Sequence, residues 1–120
     1  MARGQKKTFQ VRSSATGSVV VERATEAETF WDKLFGLLSR KSLSSDEALW
    51  LRANGVHTFG MRYAIDVLVL DAEGRILRIA PAVQPNRIVW PVPGGRYTLE
   101  TASGFASKYA LQQGDRLIRS

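Results

Sequence analysis

The stretch Val56-His57-Thr58-Phe59-Gly60-Met61-Arg62-Tyr63-Ala64-Ile65-Asp66-Val67-Leu68-Val69-Leu70-Asp71 decides the fold. In an extended chain its second half puts Ile65, Val67 and Val69 on one side and Asp66, Leu68 and Leu70 on the other. A strand that is apolar on both faces is central, with a layer on each side of it. The whole stretch is about three times the modal strand length, so it must break. Gly60 is the expected bend, with Tyr63-Ala64 as a second candidate.

The flanking sequence supplies partners for that strand. Ala72-Glu73-Gly74 reads as a turn, and Ile76 to Ala80 as the returning strand, with Pro81 ending the ladder or marking an edge. Upstream, Ala48 to Leu51 is a short buried strand, and Asn54-Gly55 is a hairpin signal. Thr8–Arg12 and Ser18–Arg23 form an N-terminal hairpin, with Val19 and Val21 on one face and Val20 on the other. Thr25-x-x-Glu28 has the form of a capping box opening a helix over about 26–40, with an apolar stripe of Phe30, Leu34, Leu37 and Leu38. Downstream, residues 85–95 hold Pro85, Pro91 and Pro93 and read as a rigid surface loop. Tyr97–Thr101 alternates as a strand. Ser103 caps a short helix over about 104–111 that places Phe105 and Tyr109 on one side, Gly114 is its left-handed stop, and Arg116–Arg119 is the last strand. The expected fold is mainly β: a compact antiparallel sandwich or barrel with one longer and one short helix, residues 8–120 forming a single domain behind a basic tail, 1–7.

Composition narrows the function. A chain of 120 residues buries roughly two thirds of its unfolded surface in one core. With no cysteine there is no disulfide framework and no thiol chemistry. No run approaches the ~18 apolar residues of a membrane span, and the basic start leads into polar rather than apolar sequence, so no secretory signal is expected. The location expected is cytoplasmic, or periplasmic or extracellular if a leader was removed. Of the net charge of +6, residues 1–12 carry four basic side chains (Arg3, Lys6, Lys7, Arg12) and no acid, which leaves the remainder nearly balanced. A solvated tail explains this better than a nucleic-acid footprint, which clusters basic and aromatic residues on one face of the fold.

The chemistry available is sparse. There is one histidine, so no His-x-x-x-His metal pair, and Val92-Pro93-Gly94-Gly95 lacks the lysine of a phosphate loop. No metal and no cofactor is expected. His57, Thr58, Arg62, Asp66, Arg87 and Glu100 remain as ligand-binding candidates, and His57 with Asp66 as the catalytic pair if there is one. Asp66 shares its face with leucines, where a carboxylate is costly unless it is paired. Arg62, four residues back, is the expected partner.

Gly36-Leu37-Leu38-Ser39-Arg40, Leu43 to Leu51, the His57–Asp71 segment, Pro85-Asn86-Arg87, Leu99-Glu100 with Gly104, and Gly114-Asp115 together resemble the domain of unknown function 192 family over about residues 18–119. The resemblance is most specific in His-Thr-x-x-Met-Arg-x-x-Ile-Asp. It implies a small, mainly β prokaryotic domain with one longer and one short helix, and no established activity. Many relatives begin with a signal or lipoprotein segment, unlike this chain, and some carry a cysteine near the position of Asn54. The relatives' Leu-Pro-Ala-Gly becomes Thr101-Ala102-Ser103-Gly104 here.

The expected function is a non-enzymatic binding or accessory domain, with a small polar pocket near the bend for a small molecule or a protein. The expected state is monomer or weak dimer. One alternative is a small hydrolase or isomerase with His57 as base. The other is weak binding of an anionic surface or nucleic acid through the tail, although nucleic acid is disfavoured.

Overall fold

The computed structural model describes residues 8–27 and 43–120. The apolar stripe expected at 30–38 and the basic tail, 1–7, lie outside them. Seven strands make one sheet: β1 (Thr8–Ser13), β2 (Val19–Ala27), β3 (Glu47–Leu51), β5 (Ile65–Leu70), β6 (Ile76–Val83), β8 (Tyr97–Ala102) and β9 (Leu117–Arg119). Their order is β6-β5-β8-β3-β2-β1-β9. Two further strands, β4 (Val56–His57) and β7 (Ile88–Val89), pair antiparallel as a separate ribbon. A single helical turn, α1 (Phe105–Lys108), follows β8.

β5 lies between β6 and β8, and all six of its residues are buried. Its alternation divides the core. Leu68 and Leu70 join Val21, Ala24, Trp50, Leu99, Phe105 and Leu117 on one face. Ile65, Val67 and Val69 join Leu49, Leu51, Met61 and Val89 on the other, with Val56 packed against them, so the β4–β7 ribbon covers that face. Burying a side chain such as Leu68 contributes roughly 1.5–3 kcal/mol. With both faces covered, no residue of β5 can be polar without a dedicated partner.

Several expectations are corrected. The sheet is mixed rather than antiparallel, because β2 and β3 run parallel, Thr25 opposite Leu49 and Ala27 opposite Leu51. A parallel pair needs a crossover connection of a dozen or more residues, and residues 28–46 supply that length. The Thr25 capping box is therefore not a helix start: Thr25, Glu26 and Ala27 are strand, and the rest of the helix expected at 26–40 falls on residues that are not described. The sheet is no closed barrel. A single bridge, Arg75 to Arg116, joins its curled edges. Between β1 and β2 a register shift turns both Val20 and Val21 inward, against the strict alternation expected there.

Asn54-Gly55 does not join a hairpin, since β3 pairs with β2 and β8 while β4 pairs with β7. Asn54 acts instead as a strand mimic. Its amide nitrogen donates to Val92 O (2.7 Å) and its Oδ1 accepts from Val92 N (2.9 Å). Gly55, at φ +87°, leaves room for the β7 chain, because a Cβ there would lie 2.5 Å from Val89 O. The short helix is one turn rather than two. Ala110, at φ +51°, ends it, with Leu111 N bonded to Ala106 O and Ala110 N to Ser107 O, and this returns buried Leu111 to the core. Gly114 serves the next turn, bonding to Ile76 O. Pro81 lies inside β6, an edge strand, where a missing N–H is tolerated.

Candidate functional site

The break in the opening stretch falls where Gly60 predicts it, at φ +84° between β4 and β5. Just before it, Thr58 is fully buried and fastens the 84–87 loop. Its hydroxyl donates to Gln84 O (2.8 Å) and accepts from Arg87 N (2.8 Å), while its own N–H donates to Arg87 O (2.8 Å) and its carbonyl accepts from Met61 and Asn86. Thr98 does the same for the preceding turn, donating to Ala53 O (2.7 Å) and accepting from Gly55 N (3.0 Å). Buried hydroxyls bonded in this way hold irregular backbone that would otherwise carry unmet polar groups.

The six predicted site residues come from two parts of the fold, Asp66 and Glu100 from the large sheet and His57, Thr58, Arg62 and Arg87 from the ribbon and the chain beside it. Asp66 is buried at 1% exposure, and three backbone N–H groups saturate its carboxylate: Ala82 (2.9 Å), Gly104 (3.1 Å) and Ala106 (2.9 Å). It fixes the left-handed Ala82 at a register shift in β6 and caps α1, the role expected of Ser103. No ion pair joins it to Arg62, which is exposed. Glu100 is fully buried beside Val67 and Leu49, on the sheet face opposite to Asp66.

His57 lies on the ribbon, and Arg87 immediately precedes its second strand. Val56 and Val89 form its inward pair, and His57 and Ile88 its outward pair. His57 is half-buried, its Nδ1 accepts from Phe59 N (3.3 Å), and its ring stacks on Phe59 at 4.8 Å. Phe59 is 46% exposed, Ile88 44% and Trp90 63%. Apolar area clustered in this way, rather than scattered singly, marks an interaction surface. Residues 51–65 and 84–96 contain Arg52, Arg62, Arg87 and Arg96 and no acid. Arg62, Arg87 and Arg96 are exposed and, among the described residues, make no ion pair, whereas Arg52 pairs with Glu26 (3.3 Å). A cleft of about 420 Å³ lined by Arg52, Asn54, Gly95 and Arg96 lies beside the Asn54–Val92 clasp. Among the described residues no three metal-ligating side chains cluster, and no helix is long and apolar enough to cross a membrane.

Sequence reasoning missed Phe59, Ile88 and Trp90. The signal was present in Ile88-Val89-Trp90, an apolar run inside a proline-rich segment that cannot enter a central sheet.

These features define a small mixed-sheet protein that carries a fastened ribbon with an apolar, basic outer face. Residues 10–118 match the family designated domain of unknown function 192 (DUF192, uncharacterized ACR), and the chain belongs to that family. No protein of curated function matches the sequence. Two solved structures share the fold at 19% identity. One, from Sinorhizobium meliloti 1021, is named as a candidate transcription regulator, with a TM-score of 0.81 over 98% of both chains. The other, from Novosphingobium aromaticivorans DSM 12444, is a protein of unknown function, with a TM-score of 0.79 over 98% of this chain and 89% of that one.

Proposed function

We propose that this protein is a non-enzymatic binding module whose outward ribbon face docks a short acidic segment of a partner protein. The observation that carries the reading is the exposed Phe59–Ile88–Trp90 cluster beside Arg62 and Arg87, in chain that holds no carboxylate. Aromatic anchors with arginine at their margin are the residues that dominate protein interfaces. An aliphatic side chain such as Ile88 offers a nucleic-acid base nothing to stack on, and the balanced charge beyond residue 12 also favours a protein ligand. A second copy of this chain is disfavoured, because a two-fold contact sets the same patch against itself and this one holds arginines and no acid to pair with them. In this reading His57, Arg62 and Arg87 touch the ligand, Thr58 positions them, and Asp66 and Glu100 hold the scaffold.

Selection of random displayed peptides on the full-length protein tests this. The expected peptides carry Asp or Glu around an aromatic or aliphatic anchor. Their affinity falls at least tenfold with Trp90→Ala and with Arg87→Glu, and is unchanged by Lys108→Ala. Peptides that bind Trp90→Ala as tightly as wild type would overturn the reading. So would a protein that enriches no peptide but binds an oligothymidylate or anionic vesicles through the same face.

A further inference from the structure

A second feature lies where the chain leaves β3 and enters β8. There residues 52–54 and 95–97 form the two walls of a cleft of about 420 Å³, lined by Arg52, Ala53, Asn54, Gly95, Arg96 and Tyr97. Both walls are fastened. Ala53 O accepts from the buried Thr98 hydroxyl (2.7 Å), and Arg96 N donates to Leu70 O (2.8 Å). Asn54 is held by its two bonds to Val92, and Gly95 N donates to the same Val92 carbonyl (3.0 Å). Glycine is required at 95 for that fit, since a Cβ there would overlap Asn54 Oδ1. A cleft whose walls are anchored in this way has its shape before a ligand arrives, which lowers the cost of binding.

The charges in this cleft are of one sign. Arg52 and Arg96 line it, one on each wall, and no acid does. Arg52 is positioned from one side: its Nη2 pairs with Glu26 Oε2 (3.3 Å), while Glu26 Oε1 takes Arg119 (2.6 Å). The charges joined to the cleft are therefore three guanidiniums against one carboxylate, an excess of two positive charges. A guanidinium carries five N–H donors in a fixed fork, so the contact with Glu26 leaves Arg52 able to bond a second anion. Arg96 is exposed and, among the described residues, makes no ion pair. Like charges on the two walls repel each other, and an anion between them turns that repulsion into attraction. The volume falls within the roughly 300–1,000 Å³ of small-molecule sites. A bare ion does not fill it, and Ala53 and Tyr97 provide wall for an organic group.

We propose that this cleft binds a small phosphate monoester. The phosphoryl oxygens are taken by Arg52 and Arg96, and the organic group lies against Ala53 and Tyr97. A monoester is close to a dianion at neutral pH and has three strong acceptor oxygens, so it matches the excess charge and can meet both guanidinium forks at once. A carboxylate, with one charge and two oxygens, serves only one of them fully. The site is separate from the docking face on the ribbon, whose reading uses neither Arg52 nor Arg96.

The test is titration of the full-length, ¹⁵N-labelled protein with phenyl phosphate, phenyl sulfate and inorganic phosphate at constant ionic strength, following the backbone amide signals of Ala53, Asn54, Gly95 and Arg96. The expected result is a saturable shift of these signals with phenyl phosphate. Phenyl sulfate, which has the same shape and a single charge, should bind about tenfold more weakly, and so should inorganic phosphate, which lacks the organic group. Arg96→Gln and Arg52→Gln should each reduce phenyl phosphate binding about tenfold, as expected for loss of a charge-assisted hydrogen bond. Signals that phenyl phosphate does not move, or that move without saturating, overturn the site, and so does an affinity that neither arginine variant alters. Equal affinity for phenyl phosphate and phenyl sulfate, or for phenyl phosphate and inorganic phosphate, overturns the ligand class. Trp90→Ala leaves this titration unchanged, which separates it from the ribbon proposal.

Discussion

β5 and the β4–β7 ribbon come from one stretch of chain and bury themselves in opposite ways. In β5 every residue is inside, and its one charged side chain, Asp66, is saturated by three backbone donors. The ribbon has two-residue strands that bury Val56 and Val89 while leaving Ile88, and beside it Phe59 and Trp90, in water. Burial and hydrogen bonding explain every side chain of β5. They explain the ribbon's inner face and leave its outer face without a structural reason. That is the basis for placing function on the ribbon, and the stability of variants in the two regions tests the contrast.

The largest effect is expected at Asp66. Asp66→Ala removes the acceptor of three backbone N–H groups, the buried one of Ala106 and the part-buried ones of Gly104 and Ala82. At about 1–3 kcal/mol each, with incomplete additivity, the loss should be about 4 kcal/mol in urea unfolding. Asp66→Asn keeps the Oδ1 acceptor for Ala82 and Gly104 but faces Ala106 N with an amide donor, so it should lose about half as much. An alanine variant within about 1 kcal/mol of wild type would mean that the carboxylate is there for some purpose other than the fold.

Thr58 stands between the two regions and should give an intermediate effect. Thr58→Val keeps the branched shape but removes the bonds to Gln84 O and Arg87 N, at a cost of about 2 kcal/mol. The loss is local, so amide exchange should quicken at Arg87 and Asn86 while the β5 amides keep their protection. If β5 loses protection equally, the ribbon and the large sheet open as one unit and the contrast fails.

The legibility of the sequence follows the same division. Ile65–Leu70 was readable because strand alternation and two-sided burial leave a direct mark on residue type. The Gly60 bend was readable because the chain had to break and only glycine takes that φ freely. Asp66 was legible as a costly carboxylate, but its partners were not, since backbone N–H groups from residues 16 to 40 positions away have no side-chain signature. The parallel β2–β3 pairing was hidden because Thr25-x-x-Glu28 satisfies a helix-start pattern as well as it fits a strand end. The ribbon face was hidden because Ile88 and Trp90 come together with Phe59 only through the β4–β7 pairing, and two-residue strands are too short to leave a period.

The smallest effect on stability is expected at Trp90, and it discriminates most sharply between the two regions. A tryptophan at 63% exposure makes few of the contacts that a core side chain makes, and surface substitutions away from special features usually stay within about 0.5 kcal/mol. Trp90→Ala should therefore unfold at the wild-type urea concentration with an unchanged slope. A loss of 2 kcal/mol or more would mean that Trp90 packs as part of the fold, in which case the ribbon would be explained by burial as fully as β5 and would no longer mark a binding face. A stability-neutral Trp90→Ala that also loses the selected peptides would establish that this large apolar side chain is held in solvent for a partner.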